Sequence, residues 1–364
     1  MASVTTNYQF DVPTSSDLVK NGATQIALLG QDIDTFLFRP FTKNCVLNSD
    51  TSIWQRGTSI ASAASVVYSA DRWALYRAAL ATGATVSRQV AALTGFQYSM
   101  RIARDSGNTN TEQIVAFQAL ESAQSIPLAG KTVTFSFWAK AGANLSSTGS
   151  VLAATLATGT GTDQSPNTFR FGGWTSQATP LNVSPVITTT WARYSGTVTL
   201  GSSITQIGLA LGFVPTGTAG ANDWVEVTGI QLEIGSQVSP FTTATGTLQG
   251  ELAACQRYCY KATNDATDKT IASGGYYAST VFLGAINFPV TMRTVPTATI
   301  VNAASYWALY ANSAVDYGDT LAMTRATLNS CNLELGGNVS GTAGHAAQLA
   351  TANAAASLIL SAEL

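Results

Sequence analysis

Histidine is nearly absent from this chain of 364 residues: His345 is the single one. That excludes His-rich metal sites and any pair of imidazoles acting together. Charge is scarce too. Asp, Glu, Lys and Arg make up 10% of the residues, against about 25% in a typical soluble domain. Lys and Arg number 18 and Asp and Glu 20, a net charge of −2. No basic face follows from that balance, and phosphate binding depends on clustered cations, so no nucleic-acid partner is expected. Four cysteines do not make a disulfide framework in a chain of this length. Cys255 and Cys259 stand four apart, on one face of a helix, but a metal site would need two more ligands. Buried free thiols are the expected reading, and no metal site is assigned. Apolar runs of the ~18–20 residues that span a membrane are missing, and so are the charged and apolar regions of an export signal. A soluble chain without membrane insertion is the expectation.

Ala, Thr, Ser and Gly fill the space that charge leaves, and such small residues suit closely packed β structure. Val133, Phe135, Phe137 and Ala139 alternate with Thr132, Thr134, Ser136 and Trp138, the period of a strand with one buried face. Val198 and Leu200 continue a second strand after Trp191-Ala192-Arg193-Tyr194. Between Trp224 and Ile234 the apolar phase switches, from Val225 and Val227 to Ile230, Leu232 and Ile234, with Gly229 where a bulge would put it. Turn-rich intervals at 142–149, 159–167 and 217–223 separate strands at the spacing of a sandwich. The fold class read from this is mainly β. An N-terminal helical segment (1–45) comes first, then a jelly-roll sandwich (46–245), a short linking helix (246–262) and a C-terminal β tip (263–364). In the first segment Val19, Ile26, Leu29, Ile33 and Phe36 recur at intervals of a helical seam, a stripe suited to packing against copies of itself. The alternative is one amphipathic helix lying on the next domain. In the tip, Phe288–Arg293 and Val295–Ile300 each hold a proline and are expected at sheet edges, and Leu358, Leu360 and Leu364 suggest a closing strand.

A succession of short motifs runs through the first 262 residues. It comprises Leu47-Asn48-Ser49, Ile53-Trp54-Gln55-Arg56-Gly57, Ala70-Asp71-Arg72-Trp73, Phe135-Ser136-Phe137-Trp138, Trp191-Ala192-Arg193-Tyr194, Gly229-Ile230-Gln231-Leu232-Glu233, Pro240-Phe241 and Cys255-Gln256-Arg257-Tyr258. In that order it resembles the tail-fibre and related appendage proteins of tailed bacteriophages, over roughly residues 10 to 262. The resemblance implies a middle domain like a carbohydrate-binding-module jelly roll and an intertwined homotrimer. It also implies an N-terminal segment that joins tail, neck or baseplate proteins, and a virion location after assembly in the host cytoplasm. Host surface polysaccharide would be the partner.

Chemistry that needs titrating groups has little to work with. His345 lacks a Gly-x-Ser-x-Gly elbow for a serine triad. Asp265 with Asp268, and Asp316 with Asp319, are the carboxylate pairs a depolymerase would use, but turns favour Asp for its own backbone bonds. A non-enzyme is the expectation, with no cofactor; Asn- and Asp-containing loops offer the oxygens a structural Ca²⁺ would use. Aromatics are the remaining candidates, because their faces stack on sugar rings. Most tryptophans stand in strand motifs and are read as core. Trp174, after Gly172-Gly173, and Tyr276, Tyr277, Tyr306, Trp307 and Tyr310 of the tip are the glycan-binding candidates. The function expected is a receptor-binding tail fibre; a purely structural head or neck fibre or adaptor is the alternative.

Overall fold

A computed structural model describes residues 3–4, 11–12, 21–38, 44–80, 82–167 and 172–364. The chain divides into two compact units, Met1–Lys43 and Asn44–Leu364. In the first, β1 (Ser3–Val4) pairs antiparallel with β2 (Asp11–Val12), and a helix spans Gly22–Phe38. On that helix Ile26 is 65% and Ile33 40% exposed, while Leu29 is half-buried. Val19 and the side chain of Phe36 lie outside the described residues.

The second unit opens with two six-stranded antiparallel sheets. Sheet one runs, edge to edge, β11 (Ala178–Val183), β10 (Ala153–Gly159), β13 (Gln206–Phe213), β8 (Ile114–Ala119), β5 (Ala74–Arg77) and β4 (Val67–Tyr68). Sheet two runs β12 (Ala192–Thr199), β9 (Thr132–Ala141), β14 (Trp224–Ile234), β7 (Phe96–Arg104), β6 (Ala84–Leu93) and β3 (Ser59–Ala61). Val133, Phe135, Phe137 and Ala139 of β9 are fully buried and share a core with Leu209 and Leu211 of β13 and with Trp73. The period of two read on β9 therefore sets its inner face. Gly229 sits in a register shift between Thr228 and Gln231, at φ 59°. A Cβ there would lie 2.6 Å from Phe96 and 2.9 Å from Trp138, so the bulge has room for glycine alone.

Three of the sequence motifs turn out to be one knot. Asn48, fully buried, donates to the carbonyls of Ile53 (2.8 Å) and Asp71 (3.0 Å), while its Oδ1 accepts from the Ile53 amide at 3.0 Å. Trp73 Nε1 donates to the Asn48 carbonyl at 3.2 Å. Glu251, 1% exposed, accepts from the Asn48 amide at 2.9 Å and so ties the linking helix to the same knot. That helix spans Leu248–Gln256, with Thr247 capping the Gly250 amide. It is shorter than the expected 246–262, because β15 (Cys259–Lys261) pairs with β24 (Ser357–Ser361). Cys255, Cys259 and Cys331 are buried and Cys45 half-buried, all as free thiols. Burial pushes the thiols of Cys45 and Cys331 up to about 11, far from the reactive thiolate.

β24 is the middle of a three-stranded sheet whose edges are β15 and β18 (Thr297–Val301). A seven-stranded sheet faces it, in the order β20 (Ala314–Gly318), β19 (Trp307–Ala311), β23 (Ala346–Thr351), β16 (Lys269–Ala278), β17 (Val281–Asn287), β22 (Ser330–Gly336) and β21 (Thr320–Thr324). Leu358 and Leu360 pack with Leu309, Leu333, Leu335 and Leu349 in a second core. Thr297–Val301, within and just past the expected Val295–Ile300, thus supplies an edge strand, whereas Phe288–Arg293, expected as another, is bends and irregular backbone. The closing strand is central and stops at Ser361.

A buried ionic cluster joins the two cores. Glu363 pairs with Arg72 and with Arg56 (3.2 Å), and Gln55 Nε2 bridges Asp71 and the Cys259 carbonyl. Burial, opposed by Arg56 and by hydrogen bonds from Gln55, pushes the Asp71 carboxyl up to about 6 from 3.8. The folded chain therefore holds this proton more tightly than the unfolded one. Its contribution is complete below pH 3.8 and is lost as pH rises through about 6. At 1.36 kcal/mol per unit the span is roughly 3 kcal/mol. Urea melts of Asp71→Asn against the parent should therefore show a stability difference that moves in favour of Asn over that window. A difference flat with pH would mean an unperturbed carboxyl.

Candidate functional site: the outer face of sheet two

The alternation that buries Phe135 and Phe137 sends Ser136, Trp138 and Lys140 to the opposite face of β9. Register then fixes their neighbours. Trp138 stands across from Arg193 on β12 and Thr228 on β14; Lys140 stands across from Glu226, and Glu226 from Arg101 on β7. One half of this face is covered. Arg193 donates to the Ser239 carbonyl (2.8 Å) and to Ser136 Oγ (3.0 Å). Gln231 Nε2 and the Ser239 amide both donate to Glu233, at 2.7 and 2.9 Å. Phe241 packs on Phe96 with ring centres 4.9 Å apart. The Pro240-Phe241 motif is thus a flap over the sheet.

The other half is more open and carries a strip in which aromatic and cationic groups alternate. Arg101 places its guanidinium 4.1 Å from the centre of the Trp224 ring. Lys140 Nζ lies 5.7 Å from Trp224 and 5.0 Å from Trp191. Beneath them Glu226, fully buried, accepts from Arg101 Nη2 (2.6 Å) and Nε (2.9 Å) and from Ser99 Oγ (3.1 Å), and pairs with Lys140 at 3.2 Å. One carboxylate thus orders two cations, which orders the two indoles they touch. Trp191 is fixed further by its Nε1, which donates to the Ala91 carbonyl at 2.7 Å. Trp138, Trp191 and Trp224 are all half-buried, and Arg101 and Lys140 keep 29% and 18% of their side chains exposed. Such a strip offers indole surface for C–H contacts and N–H donors for hydroxyl or carboxylate oxygens.

The strip was not among the residues picked from sequence, where these tryptophans were read as core. For Trp138 the signal was present, since it is out of phase with Phe135 and Phe137. The candidates picked in their place scatter. Trp174 is 3% exposed, packs near Phe117, Ala157 and Ala210 on the outside of sheet one, and donates to the Ser165 carbonyl at 3.0 Å. Trp307 is fully buried in the second core. Neither presents a ring face to solvent, which corrects both assignments. Tyr306 is half-buried against that core. Tyr276 is 5% exposed, with its hydroxyl donating to Asp316 Oδ2 at 3.1 Å; burial, then Asp316, push it up to about 12, so it stays a donor. Tyr277 is 75% exposed and Tyr310 37%, the latter donating to Asp268 Oδ1 at 2.6 Å.

The carboxylates weighed for catalysis are each engaged by other groups: Asp265 by Lys261, Asp268 by Tyr310, Asp316 by Tyr276 with the Ser340 and Tyr317 amides, and Asp319 by the Ser305 amide. Among the described residues no group of three or more His, Cys, Asp or Glu gathers as metal ligands would.

No protein-family model and no curated protein matches the chain. Solved structures do show partial similarity. One described as "CBM4 structure and function" matches 45% of this chain and 88% of its own, at 17% identity and a TM-score of 0.30. The C-terminal family 22 carbohydrate binding module of Clostridium thermocellum Xyn10B matches 50% and 98%, at 15% identity and 0.31. The enzymatically active domain of tailspike protein 4 from bacteriophage CBA120 matches 52% of this chain but 21% of that one, at 11% identity and 0.34. Scores this low carry no argument, and the sandwich rests on the strand order and pairing themselves.

Proposed function

We propose that this is a non-enzymatic appendage protein of a tailed-phage particle, a tail fibre that attaches to host surface glycan. The sugar chain would lie on the open half of sheet two. The observation that carries the reading is the Trp191–Lys140–Trp224–Arg101 strip, ordered from below by buried Glu226. The motif succession supplies the phage context. The exposed Ile26 and Ile33 of the N-terminal helix suit association with further copies, and a trimer would raise avidity through effective concentration.

The test is calorimetric titration of the purified protein with host polysaccharide, alongside blocking of phage adsorption. Trp224→Ala and Trp191→Ala should each weaken binding about tenfold or more, roughly 1.4 kcal/mol, with the melting transition retained. Parent-like binding by both variants would reject the strip as the contact. No binding by the folded parent would favour the structural fibre or adaptor.

A further inference from the structure

At the β20 edge of the seven-stranded sheet lies a cavity of about 270 Å³. Tyr276, Asn312, Val315, Asp316, Thr342 and His345 are among the residues that line it. Its parts come from distant stretches of chain. The β19–β20 hairpin turns at Asn312 and Ser313, both at positive φ (51° and 62°), the geometry of a two-residue primed turn that favours Asn at its first position. The loop after β22 then folds back over β16: the Gly344 amide donates to the Tyr276 carbonyl (2.8 Å), and the Tyr276 amide to the His345 carbonyl (2.9 Å). Gly341 lets that loop approach. A Cβ on it would sit 2.1 Å from Tyr276 Cε1, on the body of the ring.

Asp316 is the charged centre of the cavity. It accepts from Tyr276 Oη (3.1 Å), the Ser340 amide (2.8 Å) and the Tyr317 amide (2.9 Å). A carboxylate has about four acceptor positions, so capacity is left for a ligand donor. No Lys or Arg lines the cavity among the described residues. Asn312 Nδ2 meets His345 Nδ1 at 2.6 Å; with the amide donating, the imidazole proton sits on Nε2. The lining thus mixes polar acceptors and donors with the small apolar residues Ala311 and Ala314. A pyranose ring likewise combines hydroxyls with C–H groups. The volume is below the ~300–1,000 Å³ of drug-sized sites and suits one ring.

We propose that this cavity is a second binding site, specific for a single terminal sugar residue that presents hydroxyls or an amine and no negative charge. The strip on sheet two has two cations against one carboxylate, so the two sites differ in electrostatic preference.

The test uses the full chain and saturation-transfer NMR with methyl glycosides of galactose, glucose, N-acetylglucosamine, glucosamine and glucuronic acid. At least one neutral or amino glycoside should receive saturation, and the glucuronide none through this cavity. Asp316→Asn should weaken the effect about tenfold. Because that change also disturbs the Ser340 loop, Ala314→Trp is the second variant; it fills the cavity from an exposed edge strand and should abolish transfer. All of these measurements are made in a Trp224→Ala background, which removes the sheet-two contact, so the transfer read is the cavity's and failure of the sheet-two reading would not remove it. Absence of transfer from every glycoside would overturn the proposal. So would equal transfer in Ala314→Trp, or glucuronide transfer that Ala314→Trp removes.

Discussion

Replacing Glu363 by Ala should cost about 3–5 kcal/mol of folding stability, the loss seen when one partner of a buried ion pair is removed. Arg72 keeps 2% of its side chain exposed and Glu363 4%. Burial alone would lower the affinity of the Arg72 guanidinium for its proton, and the charge and hydrogen bond of Glu363 together with Tyr258 and Tyr68 more than offset that. Arg72 also stacks on Tyr258 at 3.6 Å and donates to the Ala119 carbonyl at 2.7 Å, so it cannot swing out to water without breaking both contacts. Arg56 would lose its partner at the same time. Glu363→Gln keeps the shape and some hydrogen bonds and should cost less than Ala. Urea midpoints at neutral pH measure the effect. A loss under about 1 kcal/mol, the range of exposed pairs, would show that water reaches the cluster and that the two cores are not joined through it.

The parts of this fold that were legible in sequence are those governed by local periodicity. β9 is the clearest case: four alternating apolar residues fixed its inner face, and the phase switch at Gly229 marked the bulge. The same pattern also places Trp138 outward; the size and apolarity of tryptophan point to the core instead, and phase is the signal that holds. The remaining site residues were hidden for a different reason. Glu226 meets Arg101 across 125 positions of sequence, and Ser340 meets Asp316 across 24. No local pattern encodes such pairs; strand order does. Trp174 shows the converse error. Two glycines before it indicate a turn, yet the segment folds back so that the indole covers small residues on sheet one, where Ala157 and Ala210 leave room.

Trp307→Ala should cost about 3–5 kcal/mol, the usual loss for a large aromatic removed from a packed core. The argument rests on more than volume. Trp307 is fully buried, and its Nε1 donates to Asn302 Oδ1 at 2.7 Å. That same oxygen accepts from the Leu321 amide at 3.0 Å, and Asn302 Nδ2 donates to the Leu321 carbonyl at 3.0 Å. Removing the indole therefore opens a cavity among Leu309, Leu321 and Leu335 and also loosens the brace from Asn302 to β21. Trp307→Phe separates the two contributions: it refills most of the space but forfeits the hydrogen bond, a net loss of about 0.5–1.5 kcal/mol on top of imperfect packing. Urea melts of both variants, read beside adsorption blocking on the folded fraction, decide the residue's role. Large destabilisation with unchanged blocking per folded molecule would place Trp307 in the scaffold. A stable Ala variant that no longer blocks adsorption would instead make Trp307 a sugar contact, and would contradict the burial described above.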